Sequence, residues 1–206
     1  MIRVPLRDLR AALSNPVQYV NNLRRGTSAI RPRPSKYLML RFAVGEFHKA
    51  NDAKHAQDYL EQKITAKFKN VRDLHVYVNQ LQSYIREFRA LGNTSVRVRD
   101  NIAVEVPSRF ADIAVSGQSA RFDLVPSGGY AAWVFVRNMP DWEQDPRMPL
   151  LQSAYAKRLA VSLEEVAVGV YDFKLAGHFS RRYSQADVDT AYRNLLKLLD
   201  RVKSAA

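Results

Sequence analysis

Two apolar runs joined by a glycine turn constrain the fold of this chain more than any other stretch. The runs cover residues 120–125 and 130–136, and Pro-Ser-Gly-Gly at 126–129 lies between them. This composition is typical of two buried strands that form a β-hairpin. Asp123 lies inside the first run, where an unpaired carboxylate carries a large desolvation cost. We therefore expect a metal ion, an arginine or backbone amides beside Asp123.

Helices are predicted on both sides of this hairpin because apolar residues recur there at intervals of three and four. Asn15-Pro16 interrupts the first of them, since proline disfavours a helical conformation in the residue before it. An extended linker is predicted at residues 30–35, and its last residue, Ser35, is the predicted N-cap of the next helix. The predicted helices cover residues 5–25, 36–53, two segments within 54–91 parted near Asn70, a segment from Pro149, and a last one after Ser184.

Further strands are predicted from short runs that are rich in β-branched residues. Asp100-Asn101 has the composition of a two-residue turn, so the runs beside it are predicted to form a second hairpin. The predicted strands outside the first hairpin are residues 95–99, 102–106, 110–116 and 165–173.

Length and composition indicate one compact domain in two parts. The chain has 206 residues, of which 47% are apolar, enough for one substantial core. Residues 1–93 form a basic helical part that includes the first core helix at about 36–53, and residues 94–206 form the sheet part. The chain contains no cysteine and no run of about 18 apolar residues, so we expect a cytoplasmic protein without a membrane segment.

The net charge of +12 is concentrated in the first half of the chain. Residues 1–99 contain 19 Lys or Arg against 7 Asp or Glu, whereas residues 100–206 contain 13 of each. A one-sided basic field attracts polyanions over long distances, so the predicted partner is nucleic acid, most readily DNA. An acidic protein surface and a purely solubilising role are the alternatives.

A longer pattern extends across the hairpin region. Gly117 precedes Phe122-Asp123, and the glycine turn, the apolar strand and a helix with Gln152 and Tyr155 follow. This order resembles the core of the PD-(D/E)XK nuclease superfamily, RecB- and RecC-type branch. The resemblance implies an α/β (α+β) fold: a restriction-endonuclease-like core of a mixed central sheet flanked by helices, with an N-terminal helical extension. Gly-x-x-His at residues 45–48 is similar to the first motif of the same branch.

The resemblance also implies roles for particular residues. In the family, the aspartate of the second strand and an acid of the third strand hold Mg²⁺, and a lysine follows two residues after that acid. Asp123 matches the first position, Phe135 stands in the second acid's slot, and Arg137 stands in the lysine's slot. His48 matches the histidine that approaches the metal. We therefore predict a broken metal pair, with Arg137 paired to Asp123 in place of the ion.

Two further residues are implied to touch DNA. In the family a glutamine and a tyrosine on the helix after the third strand do so, and here Gln152 and Tyr155 match them with a spacing one residue shorter. The sequence thus offers no complete catalytic set, and its only candidate metal ligands are His48 and Asp123. Mg²⁺ would be a cofactor only if the second acid had migrated, for instance to Glu105, Glu46 or the acidic loop at 141–145.

The function predicted from these features is nucleic-acid binding by a catalytically inactive, nuclease-like subunit of a larger repair, recombination or phage-defence complex. The alternatives are an active Mg²⁺-dependent nuclease and a scaffold that meets only protein partners; no membrane contact is expected. The candidate nucleic-acid-binding residues are Arg24, Arg25, Arg31, Arg33, Lys36, Arg41, Lys63, Lys67, Lys69 and Arg72.

Overall fold

A mixed β-sheet lies between two layers of helices in the computed structural model, which describes residues 1–25 and 35–205. The strands in these residues are β1 (Ile2–Pro5), β2 (Thr94–Val104), β3 (Ile113–Leu124), β4 (Tyr130–Val136), β5 (Val166–Asp172) and β6 (Gly177–Arg181). The helices are α1 (Leu9–Ser14), α2 (Pro16–Arg24), α3 (Lys36–Ala50), α4 (Ala53–Lys67), α5 (Leu74–Leu91), α6 (Arg147–Leu159) and α7 (Gln185–Ser204). This architecture confirms the predicted α/β class.

The strand β3 is the centre of the sheet. On one side β2 pairs antiparallel with it from Val115 to Leu124. On the other side β1 pairs in parallel with residues 113–116, and β4 pairs antiparallel with residues 121–124. Residues 117–120 of β3 therefore have no described strand on that second side. We call this gap between β1 and β4 the fork. Beyond β4, β5 is parallel to β4 and β6 is antiparallel to β5.

Each face of the sheet buries a separate set of helices. Apolar residues of α1, α6 and α7 cover one face, where Leu9, Leu151 and Leu195 are at most 1% exposed. Residues of α3, α4 and α5 cover the other face, where Leu40 and Leu60 are completely buried. Burying one such side chain contributes about 1.5–3 kcal/mol to folding. No helix in the described residues has the length and apolar content needed to cross a membrane.

The helices begin and end at capping residues. Ser35 accepts a hydrogen bond from the Leu38 amide at 3.1 Å, which confirms the predicted cap of α3. Ser184 and Asp187 form a reciprocal capping box at the start of α7. Gly92 ends α5 with a φ of 66°, a conformation that residues with a side chain rarely adopt.

The predicted turn at Asp100-Asn101 is wrong, because both residues belong to one continuous strand. Asp100 pairs with Ser119, and Asn101 pairs with Gln118. The Asp100 carboxylate accepts hydrogen bonds from α6, from the Tyr155 hydroxyl and from Arg158 Nη1, both at 2.9 Å. These contacts with α6 keep Asp100-Asn101 in an extended conformation, although the dipeptide alone favours a turn. The sequence also gave no indication of β1 or β6.

Candidate nucleic-acid interface

Asp123 is paired with an arginine of its own strand. Both side chains are 0% exposed, and Arg121 Nε lies 2.8 Å from Oδ1 and donates to Oδ2 at 2.9 Å. Asn93, between α5 and β2, donates a second hydrogen bond to Oδ2 at 3.0 Å. Residues two apart on a strand point to the same face, so β3 alone positions the pair. Of the three groups expected beside Asp123, the structure supplies the arginine.

Arg121 also joins two histidines and a tyrosine from other elements. Its Nη1 donates to the hydroxyl of Tyr84 on α5, and that oxygen lies 2.6 Å from Nε2 of His48 on α3. Because Arg121 donates to the hydroxyl oxygen, the hydroxyl hydrogen is available to His48. Arg121 Nη2 lies 3.2 Å from Nε2 of His178 on β6. We call Arg121, Asp123, Tyr84, His48 and His178 the Arg121 cluster.

A glycine in β5 lets β6 bring His178 to Arg121. A Cβ atom at Gly169 would come within 2.3 Å of the Phe179 carbonyl oxygen, so only glycine permits this close approach of the two backbones. His178 then packs edge-to-face on Trp133 with ring centroids 4.8 Å apart. The Arg121 guanidinium carbon lies 5.2 Å from the same indole ring. The cation is thus enclosed by rings as well as by hydrogen-bond partners.

Burial and charge shift the pKa of the titratable members of the Arg121 cluster. Burial first, and the positive charge of Arg121 second, lower the pKa of His48 and of His178 to about 3. Burial raises the pKa of Asp123, while Arg121 and Asn93 oppose that rise. Both histidines are therefore neutral near pH 7.

The predicted pairing of Asp123 with Arg137 is wrong. In the register of β3 with β4, Asp123 faces Ala131 and Arg121 faces Trp133. Arg137 is exposed and follows Ala131 by six residues, about 20 Å along an extended chain. Its guanidinium cannot reach the carboxylate across that distance.

Phe135 also lies away from Asp123. It follows Ala131 by four residues, about 13 Å along β4, and is 6% exposed. Its ring packs edge-to-face on Tyr84 with centroids 5.4 Å apart. Phe135 therefore lies at the fork and not beside Asp123.

The two candidate metal ligands, His48 and Asp123, are separated by a cation. Arg121 fills the space through which they would share an ion, and His48 is bonded to Tyr84. In residues 1–25 and 35–205 no group of three or more His, Asp or Glu could hold a metal ion. Mg²⁺ prefers carboxylate and water oxygens in octahedral order, so the groups around Asp123 do not fit it.

The fork contains a second polar site, which arginines from three elements line. Arg7 comes from the turn after β1, Arg41 from α3 and Arg99 from β2. The cavity has a volume of about 320 Å³. We call it the fork pocket, and its full lining is Arg7, Leu38, Arg41, Phe42, Arg99, Gln118, Ala120 and Phe135.

The fork pocket has little negative charge of its own. Arg7 Nε lies 3.6 Å from Asp8 Oδ1. Among the described residues no carboxylate lies within 4.0 Å of the guanidinium nitrogens of Arg41 or Arg99. Burial lowers the pKa of Arg41, and the charges of Arg99, Arg147 and Arg7 lower it further. Positive charge is therefore concentrated around Arg41, which is partly buried, whereas Arg7 and Arg99 are exposed.

Arg99 is held in place by α3. Its guanidinium carbon lies 4.2 Å from the centroid of the Phe42 ring. A Cβ atom on Gly45 would come within 3.2 Å of Arg99 Nη2, so glycine at this position leaves room for the guanidinium. The first residue of the Gly-x-x-His pattern thus contacts the fork pocket, and its last residue contacts the Arg121 cluster.

The interpretation of Gln152 and Tyr155 as DNA contacts is wrong. Both side chains are buried on the face of the sheet that α6 and α7 cover, which is opposite to the face with the fork pocket. Gln152 donates to the carbonyl oxygens of Leu163 and Tyr183 at 2.9 and 3.2 Å, and accepts from the Tyr183 amide at 2.7 Å. The Tyr155 hydroxyl lies 2.6 Å from Ser119 Oγ. Both residues connect α6 to neighbouring segments and cannot reach a nucleic acid.

The change Gln152→Leu tests this structural role. We expect it to lower the free energy of unfolding by about 2–3 kcal/mol, because it leaves buried backbone groups without partners. Urea denaturation measures that loss. Nucleic-acid affinity of the folded protein, measured well below the unfolding midpoint, should stay within about twofold of the parent. A large loss of affinity at unchanged stability would contradict the structural role.

The predicted nucleic-acid-binding residues lie in separate places. Arg41 lines the fork pocket, and Arg24 and Arg25 end α2. Lys36 pairs with Asp73 and lies 5.9 Å from the Phe68 ring centroid. The remaining described ones occupy α4 and the loop after it: Lys63, Lys67, Lys69 and Arg72. Arg31 and Arg33 lie outside the described residues.

The acids considered as migrated metal ligands each pair with a basic residue. None of them belongs to a group of three or more potential metal ligands in the described part of the chain. The pairs are Glu46 with Lys49, Glu105 with Lys157, Asp141 with Arg10, Glu143 with Arg181, and Asp145 with Arg147.

Sequence reasoning missed three arginines of these two sites: Arg7, Arg99 and Arg121. Arg121 had a detectable signal, because strand periodicity places it on the same face as Asp123. Arg7 and Arg99 had none, since their convergence depends on how β1 and β2 flank β3.

Comparisons with known proteins support the fold. No protein-family model and no curated protein matches the chain. Eight chains of solved structures match. One is the crystal structure of a protein from Eubacterium rectale named "Putative exonuclease", with a TM-score of 0.53 and 10% sequence identity, covering 100% of this chain and 83% of that chain. A likeness at this identity shows the fold alone, and the chain has a nuclease-like fold.

Proposed function

We propose that this protein binds nucleic acid, most readily DNA, through the fork pocket and the basic helices beside it, without cleaving it. The observation that carries the proposal is the convergence of Arg7, Arg41 and Arg99 in the fork of a nuclease-like sheet. Guanidinium groups donate paired hydrogen bonds that match phosphate oxygens. The excess of basic residues in residues 1–99 supplies longer-range attraction.

The same residues support the absence of cleavage. Hydrolysis of a phosphodiester by a metal-dependent nuclease needs a divalent cation that activates water and neutralises developing charge. The sheet residues that line the fork pocket are Arg99, Gln118, Ala120 and Phe135, and none of them carries a carboxylate. The nearby buried carboxylate, Asp123, is engaged by Arg121. We therefore propose that the protein is a degenerate member of the RecB-type nuclease branch.

Membership of a larger repair, recombination or phage-defence complex is part of the proposal. Two large apolar side chains are exposed at one edge of the sheet: Leu175, in the turn between β5 and β6, at 60%, and Phe179, on β6, at 40%. Adjacent exposed apolar side chains suit a protein partner. In the order of strands across the sheet, β6 lies at the edge away from the fork between β1 and β4. A partner bound there would leave the arginines free for nucleic acid.

Fluorescence anisotropy with labelled single- and double-stranded DNA and RNA tests the binding. We expect affinity to fall steeply with salt: for duplex DNA, log Kd should rise by about 0.9 per phosphate contact for each tenfold rise in salt concentration. The variant Arg41→Ala/Arg99→Ala should weaken binding at least about tenfold and reduce the salt slope by about 2. The matched control Arg182→Ala/Arg201→Ala removes the same charge from exposed positions at α7 and just before it.

Two outcomes would overturn the proposal. Equal losses in the two variants would show that only net charge matters, and no binding of any nucleic acid at low salt would favour a protein scaffold. Incubation of the same preparations with plasmid or single-stranded DNA and Mg²⁺ or Mn²⁺ should leave the DNA intact. Reproducible scission that copurifies with the protein would instead support an active nuclease.

A further inference from the structure

We propose that the fork pocket holds a phosphomonoester at the end of a nucleic-acid strand. The inference rests on the proposed nucleic-acid binding and specifies what part of the ligand enters the pocket. It depends on three features of the described residues: the lining and size of the pocket, its uncompensated charge and the positioning of its arginines.

Residues from several elements line the pocket. Ala120 and Phe135 of the sheet and Leu38 and Phe42 of α3 contribute its apolar lining. Arg7 and Arg99 approach from the turn after β1 and from β2. A terminal phosphate has a chain on one side only, so it takes up less of such a pocket than an internal phosphodiester with a chain on both sides. A volume of about 320 Å³ accommodates a phosphate group with part of the nucleotide that carries it.

The charge of the pocket favours a dianion over a monoanion. A phosphomonoester carries about 1.5 to 2 negative charges at pH 7, and an internal phosphodiester carries one. Arg41 and Arg99 have no hydrogen-bond acceptor or carboxylate partner among the described residues. Their donors are therefore available to the additional oxygen of a terminal phosphate.

The arginines are already positioned for an anion. Arg99 is stacked on Phe42 and lies against Gly45. Arg41 projects from the same helix one turn before Gly45, so one rigid element holds both groups. Burial is the main cause of the lowered pKa of Arg41, and repulsion from Arg99 and Arg7 adds to it, so the empty pocket is destabilised by both. A bound dianion relieves this repulsion, which adds to its affinity.

Short oligonucleotides of one sequence test the inference by competition against a labelled strand. The set carries a 5′-phosphate, a 3′-phosphate, or hydroxyl groups at both ends. A hydroxyl-ended oligonucleotide two nucleotides longer adds two phosphodiester charges, at least as many as the phosphomonoester adds. We expect one phosphorylated form to bind about tenfold tighter than both hydroxyl-ended forms. Arg41→Ala/Arg99→Ala should abolish this preference, and Arg182→Ala/Arg201→Ala should retain it. If the double variant melts early, Arg99→Ala alone gives the same readout.

The results separate this inference from the proposed function. Equal binding of all four oligonucleotides by the parent protein would overturn the terminal-phosphate site and leave nucleic-acid binding intact. No binding of any oligonucleotide would overturn both. A preference that survives in Arg41→Ala/Arg99→Ala would place terminal-phosphate recognition elsewhere and overturn the assignment to the fork pocket.

Discussion

Arg121→Met should lower the free energy of unfolding by about 3–5 kcal/mol, because it leaves the Asp123 carboxylate buried without its cation. Both side chains of the pair are 0% exposed, so water cannot replace the lost partner. The change also removes the donors to Tyr84 and His178. Urea denaturation followed by circular dichroism measures the loss at a pH near 7.

Two controls make this result specific to the ion pair. The double variant Arg121→Met/Asp123→Leu should lose less than half as much stability as Arg121→Met, because no unpaired charge remains in the core. Arg137→Ala, at the exposed arginine once expected to pair with Asp123, should stay within about 0.5 kcal/mol of the parent. A larger effect from Arg137→Ala than from Arg121→Met would contradict the observed pairing.

Local patterns predicted most of the elements because their causes are local. The glycine turn at 126–129 joins β3 and β4 where the sequence placed a hairpin, and Ser35 caps α3 as predicted. The strand β1 was not predicted, because its pairing partner at residues 113–116 is more than a hundred residues away. The turn predicted at Asp100 failed for the same reason, since Tyr155 and Arg158 on α6 hold that residue in a strand.

The site was less predictable than the fold. The need for a partner at Asp123 followed from desolvation alone, and an arginine was one of the three expected partners. The choice of Arg137 over Arg121 failed because it used a family slot and not the periodicity of the strand. The basic charge predicted a polyanion partner, but the fork pocket depends on the register of β1 and β4 against β3. Register is a tertiary property that no local pattern of this chain determines.

The Arg121 cluster and the fork pocket divide the face of the sheet that α3 covers. Gly45 contacts Arg99 of the fork pocket, and His48, one turn later, contacts Tyr84 of the Arg121 cluster. In the first site the charge is compensated within the protein, and in the second it is not. We therefore expect changes in the first site to lower stability, and changes in the second, the proposed ligand site, to alter affinity.

Stability should fall steeply between pH 6.5 and pH 5 because His48 and His178 are neutral in the folded protein. Their folded pKa of about 3 lies below the unfolded value of about 6.5. Such groups contribute stability that is present above pH 6.5 and is lost as pH falls toward 3. At 1.36 kcal/mol per pH unit and proton, each histidine costs about 2 kcal/mol by pH 5. Proton uptake by Asp123, whose pKa burial raises, offsets part of the loss.

The variant His48→Gln/His178→Gln isolates this effect. The parent should lose up to about 4 kcal/mol of unfolding free energy from pH 7 to pH 5, and the double variant should lose much less over the same range. The matched control His55→Gln/His75→Gln changes two exposed histidines on α4 and α5 and should retain the parent's slope. Urea midpoints at intervals of half a pH unit measure all three profiles. An unchanged slope in His48→Gln/His178→Gln would show that the two imidazoles become protonated without unfolding, and that the enclosure around Arg121 is more open to water than its burial indicates.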